Sequence, residues 1–280
     1  MTRKYLTILD VDRTLIDTNY RSTSPTIGSV IKQMNQEGHV FVINSNRSLQ
    51  DLLPIAEHFG LDGEIIGENG CFIYDQKSQV LTVLANNEDI IAINDLKSIL
   101  ANLINENFSD SYFFSGDTSD LQNQIELESI SEDLENLFIL NQHRKYSISL
   151  HVRKIVNGEI EKDLETTRKL HNLISRYVAM QRYNLNVDFT NSYCNVLINP
   201  KLNNKSTGFK SMGPKYEDHL KVIIGDDYSD KPLMDNIDYF CVVNNATNEV
   251  KAVADYISPE SITKGVEEIL LNLDKITQFS

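Results

Sequence analysis

The chain has 280 residues and a formal net charge of −14. That length suits one large domain or two modest ones, and that charge argues against a nucleic-acid or anionic-membrane partner, each of which needs a basic face. An anionic substrate would approach against the overall field, so a phosphate site must be rescued locally by Lys, Arg, backbone N–H groups or a metal.

Three cysteines, Cys71, Cys194 and Cys241, are odd in number and sit in apolar, strand-like contexts. Free, buried thiols in a reducing compartment are expected. The N-terminus has no long apolar h-region and no run approaches membrane-spanning length, so a soluble cytoplasmic protein is predicted.

In chain order, the apolar segment Tyr5 to Asp10 predicts a buried strand. A helix is expected from about Ser24-Pro25 to Gln36, with Pro25 in its first turn and Gly38 after its end. Val40 to Asn44 reads as the next strand, Ser48 as the cap of a helix running toward Gly60, and Glu64-Ile-Ile and Cys71 to Tyr74 as further strands. This βαβα rhythm implies a parallel sheet with right-handed crossovers.

From about residue 85 the rhythm changes. A long helix over about 88–106 leads to Tyr112-Phe-Phe, and a second helix is predicted near 131–141. Tyr146 to Arg153 alternates strictly, with Tyr146, Ile148, Leu150 and Val152 on one face and Ser147, Ser149, His151 and Arg153 on the other. A helix is expected over roughly 159–181, then an alternating strand Tyr183 to Phe189 and a last strand Tyr193 to Asn199. Clean alternation indicates an antiparallel sheet with one face on helices and one face polar. After Pro200 the α/β rhythm resumes, with a helix near 203–212, a strand Lys221 to Gly225, a helix near 230–236, a strand Tyr239 to Val243, a helix near 247–254, a strand at Tyr256-Ile257 and a closing helix from about Ser261 to 274. The fold class is therefore α/β, with a parallel-sheet core over 1–84 and 200–280 and an inserted α+β domain over 85–199.

The chemistry gathers at strand ends, where open α/β sheets build their sites. Asp10 and Asp12 close the first strand and would repel each other unless a cation sits between them; a surface turn holding two acids is the alternative. Gly225-Asp226-Asp227-Tyr228-Ser229-Asp230 repeats the pattern after a later strand, and two such clusters can converge on Mg²⁺, which takes few carboxylates plus water and phosphate oxygens. A helix N-terminus decorated with Asp reads equally well there. Ser45-Asn46-Arg47-Ser48 follows the second strand and offers a hydroxyl and backbone N–H groups for a phosphate, or simply an N-cap. Lys205 lies where the chain re-enters the core; a solvated surface lysine is its plainer reading.

In order, these elements read Asp-x-Asp-x-Thr, Ser, Lys and Gly-Asp-Asp-x-x-Asp, which resembles the haloacid dehalogenase superfamily of phosphohydrolases across its four signature motifs. The insertion lies where that superfamily's type IIB cap would lie. Glu68-Asn69-Gly70 to Asp75, Val243 to Lys251 and Gly265-Val266 are similar to Cof-type and sugar-phosphatase relatives. The resemblance implies a Mg²⁺-dependent phosphomonoesterase with Asp10 as nucleophile and Asp12 as acid and base. It implies Mg²⁺ held by Asp10, the Asp12 carbonyl and Asp226, with Asp230 or Asp227 in support. Phosphate would be bound by Ser45, Asn46 and Lys205.

Arg13 and Asn46 stand where relatives usually carry Gly; Asn tolerates the left-handed backbone such a turn needs. Arg13, Arg47 and Asn69, with His151 and Arg153 on the polar sheet face, are the candidates for contacting the rest of a small phosphorylated metabolite, a sugar phosphate above all. A phosphotransferase or mutase on the same scaffold, or a silent sugar-phosphate-binding regulator with Arg13 blocking turnover, is the alternative. Oligomeric state is not readable from the sequence.

Overall fold

The computed structural model describes residues 3–116 and 133–278. The chain splits into two compact units, Met1–Leu84 with Asn203–Ser280, and Ala85–Leu202. The first segment holds β1 (Tyr5–Leu9), α1 (Ile27–Gln36), β2 (Val40–Asn44), α2 (Leu49–Phe59), β3 (Glu64–Gly67), β4 (Phe72–Asp75) and β5 (Val80–Val83). The inserted unit holds α3 (Asn87–Asn107), β6 (Ser111–Ser115), β7 (Leu134–Leu140), β8 (Ile148–Val156), β9 (Glu159–Lys162), α4 (Leu164–Gln181), β10 (Leu185–Thr190) and β11 (Asn195–Pro200). The returning segment adds α5 (Lys205–Lys210), β12 (Leu220–Gly225), β13 (Tyr239–Val242), α6 (Asn248–Lys251), β14 (Tyr256–Ile257) and α7 (Ile262–Ile276).

The first unit carries an eight-stranded sheet in the order β14-β13-β12-β1-β2-β3-β4-β5. β1 is central and buried along its whole length, with parallel neighbours β12 and β2 on its two sides. Chain order reverses about β1, so the carboxyl ends of β1, β2 and β12 frame the crevice where such sheets bind ligands. Leu6, Ile8, Val42, Ile66, Ile223 and Phe240 pack into one core cluster. The sheet is not parallel throughout: β3, β4 and β5 run antiparallel, because the short connections after Gly67 and Asp75 have no room for a crossover helix.

The helix ends follow local chemistry. The Ser48 hydroxyl accepts from the Asp51 N–H at the start of α2, and Gly60 ends it in the left-handed conformation at φ 70°. α1 begins at Ile27, so Pro25 precedes its first turn. Residues Tyr228–Asn236 form a 3-10 helix where an α-helix was expected over 230–236.

In the inserted unit the sheet order is β10-β11-β8-β7-β6, with β9 paired to β8. Two predicted helices are corrected. Leu134–Leu140 is strand β7 (131 and 132 lie outside the described residues), and its apolar run misleads because both faces are buried. Phe138 and Leu140 join the cluster beneath the helices, while Leu137 and Ile139 join a second cluster on the opposite face, which erases the period of two. Helix α4 starts only at Leu164, since Glu159–Lys162 turns back on β8 through Asn157 (φ 51°) and Gly158 (φ 78°), the Asn-Gly pair that two-residue hairpins favour.

Ile148, Leu150 and Val152 of β8 pack with Ile93, Leu96 and Leu100 of α3 and Leu170 and Ile174 of α4, as the alternation implies. The other face is polar over only part of its width. His151 pairs across to Asn195 on one side, but to Ile139 on the other, and Arg153 pairs to Leu137. With Phe114 and Ile155, those residues make the face apolar toward β6 and β7. Cys71, Cys194 and Cys241 are free and buried. Among the described residues no helix is long and apolar enough to cross a membrane.

Candidate active site

Beyond the last residue of β1, the Asp10 N–H still donates to Ile224 O of β12 at 3.0 Å, so Asp10 is fixed by the sheet itself. The chain then curls tightly: the N–H groups of Leu15 and Ile16 both donate to Val11 O, and Arg13 N–H donates to Ile16 O. Arg13 takes φ 62°, a conformation costly for a residue with a Cβ. This turn separates the two acids, burying Asp10 and leaving the Asp12 side chain 33% exposed.

Three carboxylates meet in the buried half of the site. Asp10, Asp226 and Asp230 each offer an oxygen, all within 4.8 Å of one another. Asp226 follows Gly225 at the end of β12, where a Cβ would overlap the Asp230 carboxylate. The Lys205 ammonium, itself buried, donates to Asp10 Oδ1 at 2.6 Å and Asp230 Oδ1 at 2.7 Å. Lys205 opens α5, which is set by a capping box between Asn204 and Thr207 and by the Asn44 side chain donating to Lys205 O at 2.9 Å.

Burial pushes the Asp10 carboxyl up to about 7, against the pull of Lys205 and with the charge of Asp230 adding to the rise. Asp226 is pushed up to about 8, by burial first and by Asp10 second, with Arg13 acting in the opposite sense. Lys205 loses hydration on burial, but Asp10 and Asp230 outweigh that loss and hold its proton more tightly than usual. The buried Oδ2 atoms of Asp226 and Asp230 accept no hydrogen bond from the described residues. Such orphaned oxygens are expensive unless a cation uses them. An all-oxygen donor set fits a hard divalent ion.

The outer half is different. Arg47, at the end of β2, donates through Nε to Asp12 Oδ2 at 3.0 Å and through a terminal nitrogen to Asp12 Oδ1 at 2.7 Å. The Tyr20 ring stacks on that guanidinium at 4.8 Å. Burial opposes the Arg47 charge, yet the hydrogen bonds to Asp12 raise its hold on the proton. Ser45 is buried and its hydroxyl accepts from the Arg47 N–H; Asn46 beside it is half-buried. The loop Glu68-Asn69-Gly70, left-handed at all three residues, braces this corner through Glu68 N–H to Arg47 O and Asn69 N–H to Ser45 O. The Asn69 side chain reaches Asn203 O at 3.4 Å.

Asp227 is exposed and outside the carboxylate cluster. In the inserted unit, Arg153 donates from one terminal nitrogen to the carbonyls of Val152, Tyr193 and Cys194, and its other terminal nitrogen lies 3.4 Å from His151 Nδ1. Ser149 and Asn195, both buried, bond to each other on the same face.

Two further residues belong to the site. Thr14, fully buried, donates to Asp226 Oδ1 at 3.4 Å. Asn245 donates to Arg13 O at 2.8 Å, while its own carbonyl receives an Arg13 terminal nitrogen at 2.9 Å. Thr14 stands in the Asp-x-Asp-x-Thr pattern and Asn245 in the Val243 to Lys251 run, the two signals from which these site residues could be found.

Residues 7–270 match the family model of haloacid dehalogenase-like hydrolases. The chain belongs to that family. It is also 22% identical over 270 residues to a Haemophilus influenzae protein provisionally named a phosphatase, covering 93% of this chain and 95% of that one. A haloacid dehalogenase-like hydrolase from Bacteroides thetaiotaomicron superposes with a TM-score of 0.69 at 16% identity, over 98% of this chain and 100% of that one. A second Bacteroides thetaiotaomicron protein, described among phosphatases of the superfamily, gives 0.61 at 16% identity over 98% and 95%. At these identities the structural likenesses establish the fold: an α/β core of the haloacid dehalogenase type with an inserted α+β unit.

Proposed function

We propose that this hydrolase is a Mg²⁺-dependent phosphomonoesterase that removes phosphate from a small metabolite, a sugar phosphate, by way of an aspartyl-phosphate on Asp10, and that it works in the cytoplasm. The observation that carries the reading is the opposed placement of two carboxylates one residue apart: Asp10 buried against Lys205, Asp12 at the rim in the grip of Arg47. Family membership and the name of the Haemophilus influenzae relative support phosphate ester hydrolysis.

Asp10 and Asp226, with the Asp12 carbonyl and Asp230 in support, would hold the cation. When bound, it would offset repulsion between carboxylate and phosphate and stabilise charge on the transferring group. Asp10 attacks phosphorus in line as the ester P–O bond breaks. Lys205 holds Asp10 Oδ1, and with Ser45, Asn46 and nearby backbone N–H groups would bind the phosphoryl oxygens.

Asp12 gives a proton to the leaving alkoxide oxygen, then takes one from the water that attacks the aspartyl-phosphate, so that orthophosphate leaves and Asp10 is restored. Both Asp12 oxygens are engaged by Arg47, so each proton transfer begins with at least one of those bonds opening. Asn69 would contact the sugar in the first unit, and in the inserted unit the hydroxyl- and amide-bearing side of the β8 and β11 sheet face, with His151, has the chemistry to bind sugar hydroxyls.

A panel of phosphorylated metabolites assayed for orthophosphate tests the reading. Release from at least one sugar phosphate with Mg²⁺, abolished by EDTA, is expected. Release that continues in EDTA, or none from the whole panel, overturns it.

A further inference from the structure

Arg13 stands at a position where the turn prefers glycine, and its φ of 62° is the strained, left-handed region. The strain is held by a clamp of three contacts. Arg13 N–H donates to Ile16 O at 2.8 Å, its carbonyl receives the Asn245 side chain at 2.8 Å, and its terminal nitrogen donates to the Asn245 carbonyl at 2.9 Å. Asn245 is itself tied down, since its Oδ1 receives the Ile262 N–H at 2.8 Å. The guanidinium is thus anchored by a neutral carbonyl, with its Nε 3.4 Å from Asp226 Oδ2. That distance is an ion pair at the edge of hydrogen-bonding range. Asp226 Oδ2 is the buried oxygen that accepts no hydrogen bond among the described residues. The oxygen is left free for a ligand while a fixed positive charge stands beside it.

The charge balance gives this a consequence. Asp12 is matched by Arg47. In the buried half, the three carboxylates of Asp10, Asp226 and Asp230 face two cations, Lys205 and Arg13, which leaves one net negative charge. A divalent cation converts that to one net positive charge, the sign that attracts a phosphate dianion. With a neutral residue at 13, the loaded site would be electrically balanced.

We propose that Arg13 is a built-in counter-charge that weakens divalent-metal binding and strengthens anion binding at the loaded site, setting the two affinities in opposite directions. This rests on the metal-site reading above. It makes Arg13 a determinant of phosphate affinity rather than a block to turnover, through a charge that neither opens nor closes.

The test uses the whole protein and two conservative variants, Arg13→Gln and Arg13→Lys. Calorimetric titration with Mg²⁺ alone gives the metal Kd. Titration of the Mg²⁺-saturated protein with inorganic phosphate gives the anion Kd. Arg13→Gln should bind Mg²⁺ about tenfold more tightly and inorganic phosphate about tenfold more weakly, the scale expected for one charge a few ångströms away on a side chain 34% exposed, where water screens it nearly as in bulk. Arg13→Lys should stay within about threefold of the parent on both. Unchanged Kd values in Arg13→Gln, or a shift in the same direction for both ligands, overturns the inference. Asp226→Asn separates the two readings. If Asp226→Asn loses Mg²⁺ binding while Arg13→Gln leaves both affinities unchanged, only the role of Arg13 falls. If Asp226→Asn binds Mg²⁺ like the parent, the metal site falls and the inference with it.

Discussion

The two halves of the site are neutralised in opposite ways. The inner half gathers Asp10, Asp226 and Asp230 around one lysine, buries all four groups, and leaves two carboxylate oxygens without a hydrogen-bond donor among the described residues. The outer half holds one carboxylate, Asp12, a third exposed, with both oxygens engaged by Arg47. Burial raises the inner carboxyls because charge is expensive away from water, whereas a half-buried bidentate pair is complete as it stands. The inner half is therefore arranged for an ion it must acquire, and the outer half for a bond it must break. On the proposed reading, ion binding and proton transfer fall to carboxylates at different depths.

The largest effect expected from this division comes from the inner half. Asp10→Asn should cut turnover on the order of 10⁴-fold or more, since an amide cannot act as the nucleophile proposed for Asp10. Orthophosphate release measured over hours reads it, and a loss under tenfold would remove Asp10 from the chemistry.

In the outer half, Arg47→Ala should lower kcat by about 10²-fold, a usual size for misplacing a general acid. Its Mg²⁺ Kd should stay within about twofold, because the Asp12 side chain is not among the clustered carboxylates. Equal losses in kcat and in Mg²⁺ affinity would mean that the two halves are one unit.

A smaller effect separates the halves by pH. The folded-state values of Asp10, about 7, and Asp226, about 8, lie above the ordinary carboxylate value of 3.8. For a raised carboxyl the folded state holds its proton more tightly than the unfolded chain. Its contribution is full below about pH 4 and is lost as pH climbs through 7 to 8. A divalent cation binds the ionised form and reverses the loss, so it competes with protons. The rise in Tm caused by Mg²⁺ over EDTA should be about 2–6 °C at pH 8.5 and fall toward zero at pH 5.5. A Mg²⁺ shift that is the same at both pH values would deny that the inner carboxyls are the ones it binds.

How legible this was depends on distance along the chain. β1 and β12 announce themselves as unbroken apolar runs ending in acids, so Asp10 and Asp226 could be read as strand-end groups, and the adjacency of parallel strands then brings them together. The Arg47–Asp12 pair could not be read, because it depends on β2 lying directly beside β1 and on a tight turn that tips Asp12 outward. In the inserted unit, β7 hid because both of its faces are buried and its apolar spacing imitates a helix. β9 is legible in Asn157-Gly158, a hairpin signal within what otherwise continues as a helical pattern. The polar sheet face was half right, since alternation along β8 says which residues share a face but not that β7 would put Leu137 and Ile139 on it.

The smallest effect expected is the sharpest boundary. Asp226 and Asp227 are consecutive, but the backbone leaving β12 sends Asp226 inward, buried beside Asp10 and Asp230, and leaves Asp227 exposed. The inward turn is fixed on both sides. Gly225 has no side chain because one would strike Asp230, and Asp226 O is held by the Thr247 N–H at 3.1 Å. A solvated charge at the rim is screened by water and salt and contributes little to a buried ion. Asp227→Asn should therefore leave the Mg²⁺ Kd and kcat within about twofold of the parent. A tenfold loss of Mg²⁺ affinity in that variant would place the cation further out than the three buried carboxylates allow, and would move the metal site toward the rim that Asp12 and Arg47 occupy.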